Sequence, residues 1–156
     1  MMYRARGFSM VELMAVLAIL AVLVWVTLPL AEATRERERE RELQQSLWQI
    51  RDALDAYKHM SNNSGVPRPP ELSGYPPTLD SLVQGVPDPK SGGRLVYFLR
   101  RIPRDPFAPP ELPAEQTWGL RSFQSSAAAP VAGADVYDVY SKAPGNGLNG
   151  VPFRAW

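Results

Sequence analysis

A carboxylate sits inside an apolar run near the start of this chain. Glu12 is the only charged residue between Phe8 and Leu30, a stretch of 23 residues. Such surroundings cost a carboxylate a few kcal/mol unless a cation pairs with it. Other residues able to do chemistry are sparse. Cysteine is absent, which excludes disulfides, thiolate metal sites and a cysteine nucleophile. His59 is the single histidine. A Ser–His–Asp arrangement is arithmetically possible, but no G-x-S-x-G turn presents a serine to it. A satisfied histidine in the last turn of a helix is the plainer reading, and the chain reads as a non-enzyme. Arg100, Arg101 and Arg104 gather beside Asp105. They read as a solvated surface, with an acidic neighbouring subunit as the alternative.

The elements that must position these residues fall into zones. At 156 residues the chain has room for one modest domain and an appendage. Its 17 Lys and Arg against 16 Asp and Glu give a net charge of +1 and no basic face, so no nucleic-acid partner is expected. The apolar run would extend about 35 Å as a helix, enough to cross a hydrocarbon core of about 30 Å. One long helix is predicted from Phe8 to about Met60, kinked or loosened at Pro29, which lacks a backbone donor. Within it lies RERERERE, Arg35–Glu42. On a helix opposite charges meet at i,i+3 and like charges at i,i+4, so the pair energies largely cancel. The run must be solvated or matched to neighbouring molecules. Beyond it Leu43, Leu47, Ile50, Leu54 and Tyr57 recur at spacings of four and three, widened by Trp48 and Ala53. A stripe on one side needs a cover.

Residues 61–156 should supply that cover. Twelve of the sixteen prolines fall between Pro67 and Pro113, which rules out long helices there. A short helix is predicted over Thr78–Gln84 with Thr78 as N-cap. Strands are predicted over Leu95–Leu99, Thr117–Phe123 and Asp135–Tyr140. A glycine- and asparagine-rich loop comes next, over Ser141–Gly150. The Pro-rich stretch Val66–Pro77 reads as a stiff connector hugging the helix. Trp118, Phe123, Tyr137 and Tyr140 are the expected core aromatics. The predicted fold class is α+β: a long N-terminal helix, membrane-spanning in its first half, with a small loop-rich antiparallel sheet packed on its second half.

Three readings compete for the N-terminus. A secretory signal peptide would use Ala31-Glu32-Ala33 as its cleavage site, but an apolar region of 23 residues is too long for one and a carboxylate does not belong in it. A one-pass anchor fits the length and leaves Glu12 unexplained. The third reading rests on Gly7-Phe8-Ser9-Met10-Val11-Glu12 behind the basic leader with Arg4 and Arg6. This segment resembles the processing site of type IV prepilins and of the pseudopilins of type II secretion. The resemblance implies a pilin-like fold, cleavage after Gly7 by an inner-membrane prepilin peptidase, and N-methylation of the new first residue, Phe8. It also implies that Glu12 acts in assembly by pairing with the freed amine of a neighbouring subunit. Counting only Lys and Arg, the leader carries two while the far flank carries Arg35, Arg37, Arg39 and Arg41. The positive-inside rule alone would reverse the orientation; the processing motif, cut on the cytoplasmic side, places the leader in the cytoplasm.

Later segments narrow the branch. Tyr75–Leu82, Arg101–Phe107 and Asp135–Ser141 resemble the post-helix stretch, the Ile-Pro-x-Asp-Pro-aromatic segment and the final strand of the major pseudopilins of type II secretion. The expected organisation is a leader over 1–7, a transmembrane and fibre-core helix over 8–30, its extension over 31–60, and a periplasmic globular domain over 61–156. The resemblance implies a single-pass inner-membrane protein that self-assembles into a periplasmic fibre driving protein export. Its partners would be the prepilin peptidase, minor pseudopilins and the inner-membrane secretion platform. The alternatives are a type IV pilin-like minor subunit and a single-pass membrane-anchored periplasmic binding module. Major pseudopilins commonly hold calcium in the C-terminal loop. Here Ser141–Trp156 contains no Asp or Glu, and only Asp135, Asp138, Asn146 and Asn149 offer side-chain oxygens nearby. No metal or other cofactor is therefore expected, and Gly145, Gly147 and Gly150 read as turn residues with positive φ.

Overall fold

The computed structural model describes residues 9–63 and 73–156, the side chains of 26–31 excepted. Two compact units divide the chain between Glu38 and Arg39. Helix α1, Met10–Asn63, contributes to both. It ends three residues beyond the expected Met60 and is helical through Pro29. In the first unit every described side chain from Met10 to Trp25 is exposed, so the apolar character runs all round the helix.

The second unit is organised on the apolar stripe of α1. Leu43, Leu47, Ile50 and Leu54 are each no more than 2% exposed, and Ala53 lies among them. Full burial of each large side chain stabilises the fold by about 2 kcal/mol. Trp48 does not join the stripe. It stands about 160° around the helix from Ile50 and is 75% exposed. The cover comes from Leu79 and Leu82, then Ile102, then Trp118, Val136, Val139 and Phe153. Trp118 is the one fully buried member of the expected aromatic set, its indole N–H donating to the Pro103 carbonyl at 2.8 Å. Phe123 is exposed, and Tyr137 and Tyr140 are half-buried. Phe153 instead closes the core, stacked on Phe107 with centroids 4.4 Å apart.

The strands form two two-stranded antiparallel ladders instead of one sheet. In the first, β1 (Val86–Asp88) pairs with β2 (Arg94–Val96) around a turn that the Asp88 carboxylate caps through Lys90 N–H and Ser91 Oγ–H. The sequence pattern hides β1 because Pro87 interrupts it; at an edge the missing donor costs nothing. The expected strand over Leu95–Leu99 stops at Val96, since the N–H groups of Phe98 and Leu99 both donate to the Leu82 carbonyl. That carbonyl belongs to helix α2, Ser81–Gln84, which is shorter than the expected Thr78–Gln84. Its N-cap is Asp80, and Thr78 closes the preceding turn, its hydroxyl 3.0 Å from that of Ser81.

In the second ladder, β3 (Trp118–Arg121) pairs with β4 (Asp138–Ser141), shorter than the strands expected over Thr117–Phe123 and Asp135–Tyr140. Gly119 stands opposite Tyr140, and a Cβ there would come within 2.3 Å of the Tyr140 ring. Only glycine leaves the ring room to lie across the ladder.

Asp105 anchors this unit. It is 1% exposed, and both of its carboxylate oxygens are bonded to neutral donors. Ser141 Oγ–H donates to Oδ2 at 2.5 Å, and Phe107 N–H donates to Oδ1 at 2.8 Å. The Asp105 N–H donates in turn to Thr117 Oγ1 at 3.2 Å. One carboxylate thereby ties the loop before the second ladder to the end of β4. Asp105→Ala should strand those donors and destabilise the fold by about 3 kcal/mol. Chemical denaturation of the full chain in mild detergent checks this; Ser141→Ala should cost less, and the double variant should fall short of the sum.

Candidate assembly site

Of the residues singled out at the N-terminus, Gly7 and Phe8 lie outside the described residues, while Glu12 lies in the first turn of α1. Ser9 immediately precedes the helix. Its Oγ accepts the Glu12 N–H at 3.1 Å, and its carbonyl accepts the Leu13 N–H at 3.1 Å. Ser9 is thus the N-cap, with Glu12 at the third helical position, the spacing of a capping box. The pattern S-x-x-E is legible in the sequence, and the expectation for Glu12 leaves it out. The cap fixes where the helix begins and so where the carboxylate sits.

The Glu12 carboxylate is exposed, flanked by exposed apolar side chains from Met10 at 83% to Trp25 at 81%. Among the described residues no cation forms an ion pair with it; both ion pairs found involve Asp138. The helix N-terminus favours an anion there by about 0.3–1 kcal/mol. The arrangement is an acceptor held on an apolar rod, open to a cation from elsewhere. Among the described residues no helix is long and apolar enough to cross a membrane. The expected span over Phe8–Leu30 starts outside them at Phe8, and at its far end the side chains of 26–30 are not among those described.

The C-terminal loop carries the other expectation that geometry can test. Calcium takes six to eight oxygens, usually with carboxylates among them. The oxygens that the sequence offers are directed elsewhere. Asp138 Oδ1 accepts Arg51 Nε–H at 2.8 Å, and Oδ2 accepts Arg121 Nη2–H at 3.0 Å. Asp135 Oδ1 accepts the Phe123 N–H, and Asn149 Oδ1 accepts the Val151 N–H, each at 2.9 Å. Arg51 Nη2 also donates to the carbonyls of Trp156 at 2.7 Å and Val139 at 3.2 Å. The Arg51 guanidinium takes up Asp138 Oδ1 and the Val139 and Trp156 carbonyls, so these oxygens do not fit a calcium ion. Gly145 and Gly150 do take positive φ. Gly147 does not; it is needed because a Cβ would meet the Trp156 indole at 2.2 Å.

The arginine cluster also resolves into parts. Arg104 donates to the carbonyls of Pro109 and Leu112, while Asp105 is turned into the core and pairs with none of the three. Arg100 and Arg101 are exposed along a groove that Glu42, Asp80 and Glu115 also line. His59 is exposed on α1.

Comparison with known proteins places these features. Residues 2–28, which contain the Ser9 cap and Glu12, match the prokaryotic N-terminal methylation motif. The chain is 30% identical over 116 residues to the type II secretion system core protein G of Aeromonas hydrophila, covering 69% of this chain and 71% of that protein. It is 31% identical over 111 residues to the type II secretion system core protein G of Pectobacterium carotovorum subsp. carotovorum, covering 67% of this chain and 64% of that one. No solved structure gives a significant match.

The geometry of the cap and of the C-terminal loop sets two expected outcomes. Ser9→Ala should cost about 1 kcal/mol of local helix stability, read as faster hydrogen exchange at the Glu12 amide of the full chain in detergent. Arg51→Ala should lower the stability of the C-terminal unit by about 2 kcal/mol. Calcium or a chelator should leave the melting temperature of the parent unchanged; calcium-dependent protection would show that the loop rearranges to take the ion. With its long helix, small antiparallel ladders and methylation motif, the chain belongs to the type II secretion system core protein G family, the major pseudopilins.

Proposed function

We propose that this chain is a structural subunit of a type II secretion pseudopilus, cut after Gly7, methylated on Phe8 and assembled through contacts of Glu12. The observation that carries the proposal is the carboxylate itself. It lies in the first turn of an exposed apolar helix, within the segment that matches the methylation motif, without a cation among the described residues. A carboxylate and an amine left in apolar surroundings are each costly alone, and pairing relieves both. The amine freed at Phe8 of a neighbouring copy is a partner of the right charge. The same contact favours one axial register between copies.

The subunit spans the inner membrane once, leader in the cytoplasm and C-terminal unit in the periplasm. Its processing partner is a prepilin peptidase; its assembly partners are further copies, minor pseudopilins and the inner-membrane secretion platform. Loss of Met1–Gly7 removes Arg4 and Arg6 and takes the formal side-chain charge from +1 to −1. Copies that leave the bilayer pack their apolar helices together, where close packing and polar anchors matter more than hydrophobic drive. The role is structural and not catalytic: the relatives are secretion-system core subunits, and the sole histidine lies exposed on α1.

The test separates a fibre subunit from a membrane-anchored binding module. Gly7→Leu should block trimming, leaving the full-length mass. Glu12→Ala should be trimmed and methylated at Phe8 like the parent yet recovered in sheared fibres at a level lower by about tenfold or more. If Glu12→Ala assembles normally, or if the mature chain begins at Glu32 or Thr34, the proposal fails.

A further inference from the structure

The repeat Arg35–Glu42 lies wholly within α1. At about 100° per residue, strict alternation sorts the two signs by direction, because residues four apart share a stripe. Glu36 and Glu40 make one such stripe. Both are half-buried, and Glu40 Oε1 accepts the Leu148 N–H at 2.5 Å. The rest of the circumference carries three exposed stripes, in the order Arg37 with Arg41, Glu38 with Glu42, and Arg35 with Arg39. Opposite partners are available along the same helix at i,i+3. Even so, among the described residues no member of the repeat closes an ion pair within 4.0 Å.

We propose that the first two of these stripes form a contact between copies of this chain, the Arg37/Arg41 stripe of one facing the Glu38/Glu42 stripe of the next. The inference rests on the fibre reading and deepens it. Charge complementarity selects the occupant. An anionic surface would be attracted by one stripe and repelled by the one beside it, and a cationic surface likewise. A second copy, turned about the helix axis, presents each stripe with its opposite. The contact uses a different patch on each side, so every copy keeps one stripe for the following neighbour and the series does not close. The i,i+4 repulsion within each stripe is relieved by the opposing pair. The pairs are exposed and thus individually weak and salt-sensitive; repetition along the fibre gives them weight.

Two measurements on the full chain, produced with its peptidase and secretion platform, test the contact. Arg37→Glu with Arg41→Glu reverses the basic stripe of the contact and should lower fibre yield by about tenfold or more, with trimming and melting temperature unchanged. Undiminished fibres from that variant overturn the contact. The chain has no native cysteine, so a second readout is clean. Differently tagged chains carrying Arg41→Cys in one and Glu38→Cys in the other should oxidise to a mixed dimer within fibres, while either alone should not. Fibres that form at the parental level without the mixed dimer overturn the contact and leave the fibre reading standing. If the parent itself yields no fibres, the fibre reading falls first.

Discussion

The burial of Leu43, Leu47, Ile50 and Leu54 is the constraint on which the second unit depends. The chain beyond α1 is made of pieces too small to stand alone: a four-residue helix, two ladders of three and four residue pairs, and short 3₁₀ turns. A two-stranded ladder in isolation is marginal in water, and the prolines forbid any longer helix. A helix, by contrast, presents a preformed apolar row. Each short piece contributes one or two side chains to that row, Leu82 from α2, Trp118 from β3, Val139 from β4 and Phe153 from the last turn. The order of the unit is borrowed from the helix.

A loop-rich cover leaves many backbone groups without ladder partners, and side chains take them up. Asp105 receives the Phe107 N–H, Arg104 serves two carbonyls, and Arg51 serves the carbonyls of Val139 and Trp156. Among the described residues no buried side-chain nitrogen or oxygen lacks a partner. Arg51 does from α1 what a bound cation would do from the loop: it neutralises a carboxylate and collects carbonyl oxygens around one charge. Because the guanidinium is covalently part of the helix, the C-terminal segment is tied directly to the rigid element. That explains how a loop without a single Asp or Glu still closes over the core.

Periodicity carries the helix stripe, the α+β class and the two runs that contain β3 and β4, because a stripe and short apolar runs leave signals at fixed spacing; their pairing with each other does not show there. Trp48 misleads when hydrophobicity is read without phase: at about 100° per residue it faces away from Ile50. Phe153 and Arg51 are not legible. The role of Arg51 comes from a contact with Trp156, 105 residues away in sequence, and no local pattern encodes such a partner. Asp105 stands out in the sequence beside Arg104, its neighbour; the backbone turns it instead toward Ser141, 36 residues on. At the N-terminus the motif is legible in full, and the cap by Ser9 requires only the S-x-x-E spacing within it.

The cap raises the question of whether Glu12 needs any further explanation, and magnitudes decide it. An acid in the first helical turn gains about 0.3–1 kcal/mol from the helix N-terminus. A carboxylate surrounded by hydrocarbon costs about 2.5–3.5 kcal/mol even on the mildest scale. The cap therefore cannot offset that cost in apolar surroundings. The Ser9 bond, moreover, engages the backbone N–H of Glu12 and not its carboxylate. Capping is local and is complete in the single chain, whereas the carboxylate finds no cation among the described residues; in the proposed fibre one arrives with the neighbouring helix. The cap aims the acid, and in the proposed fibre the partner makes its position tolerable.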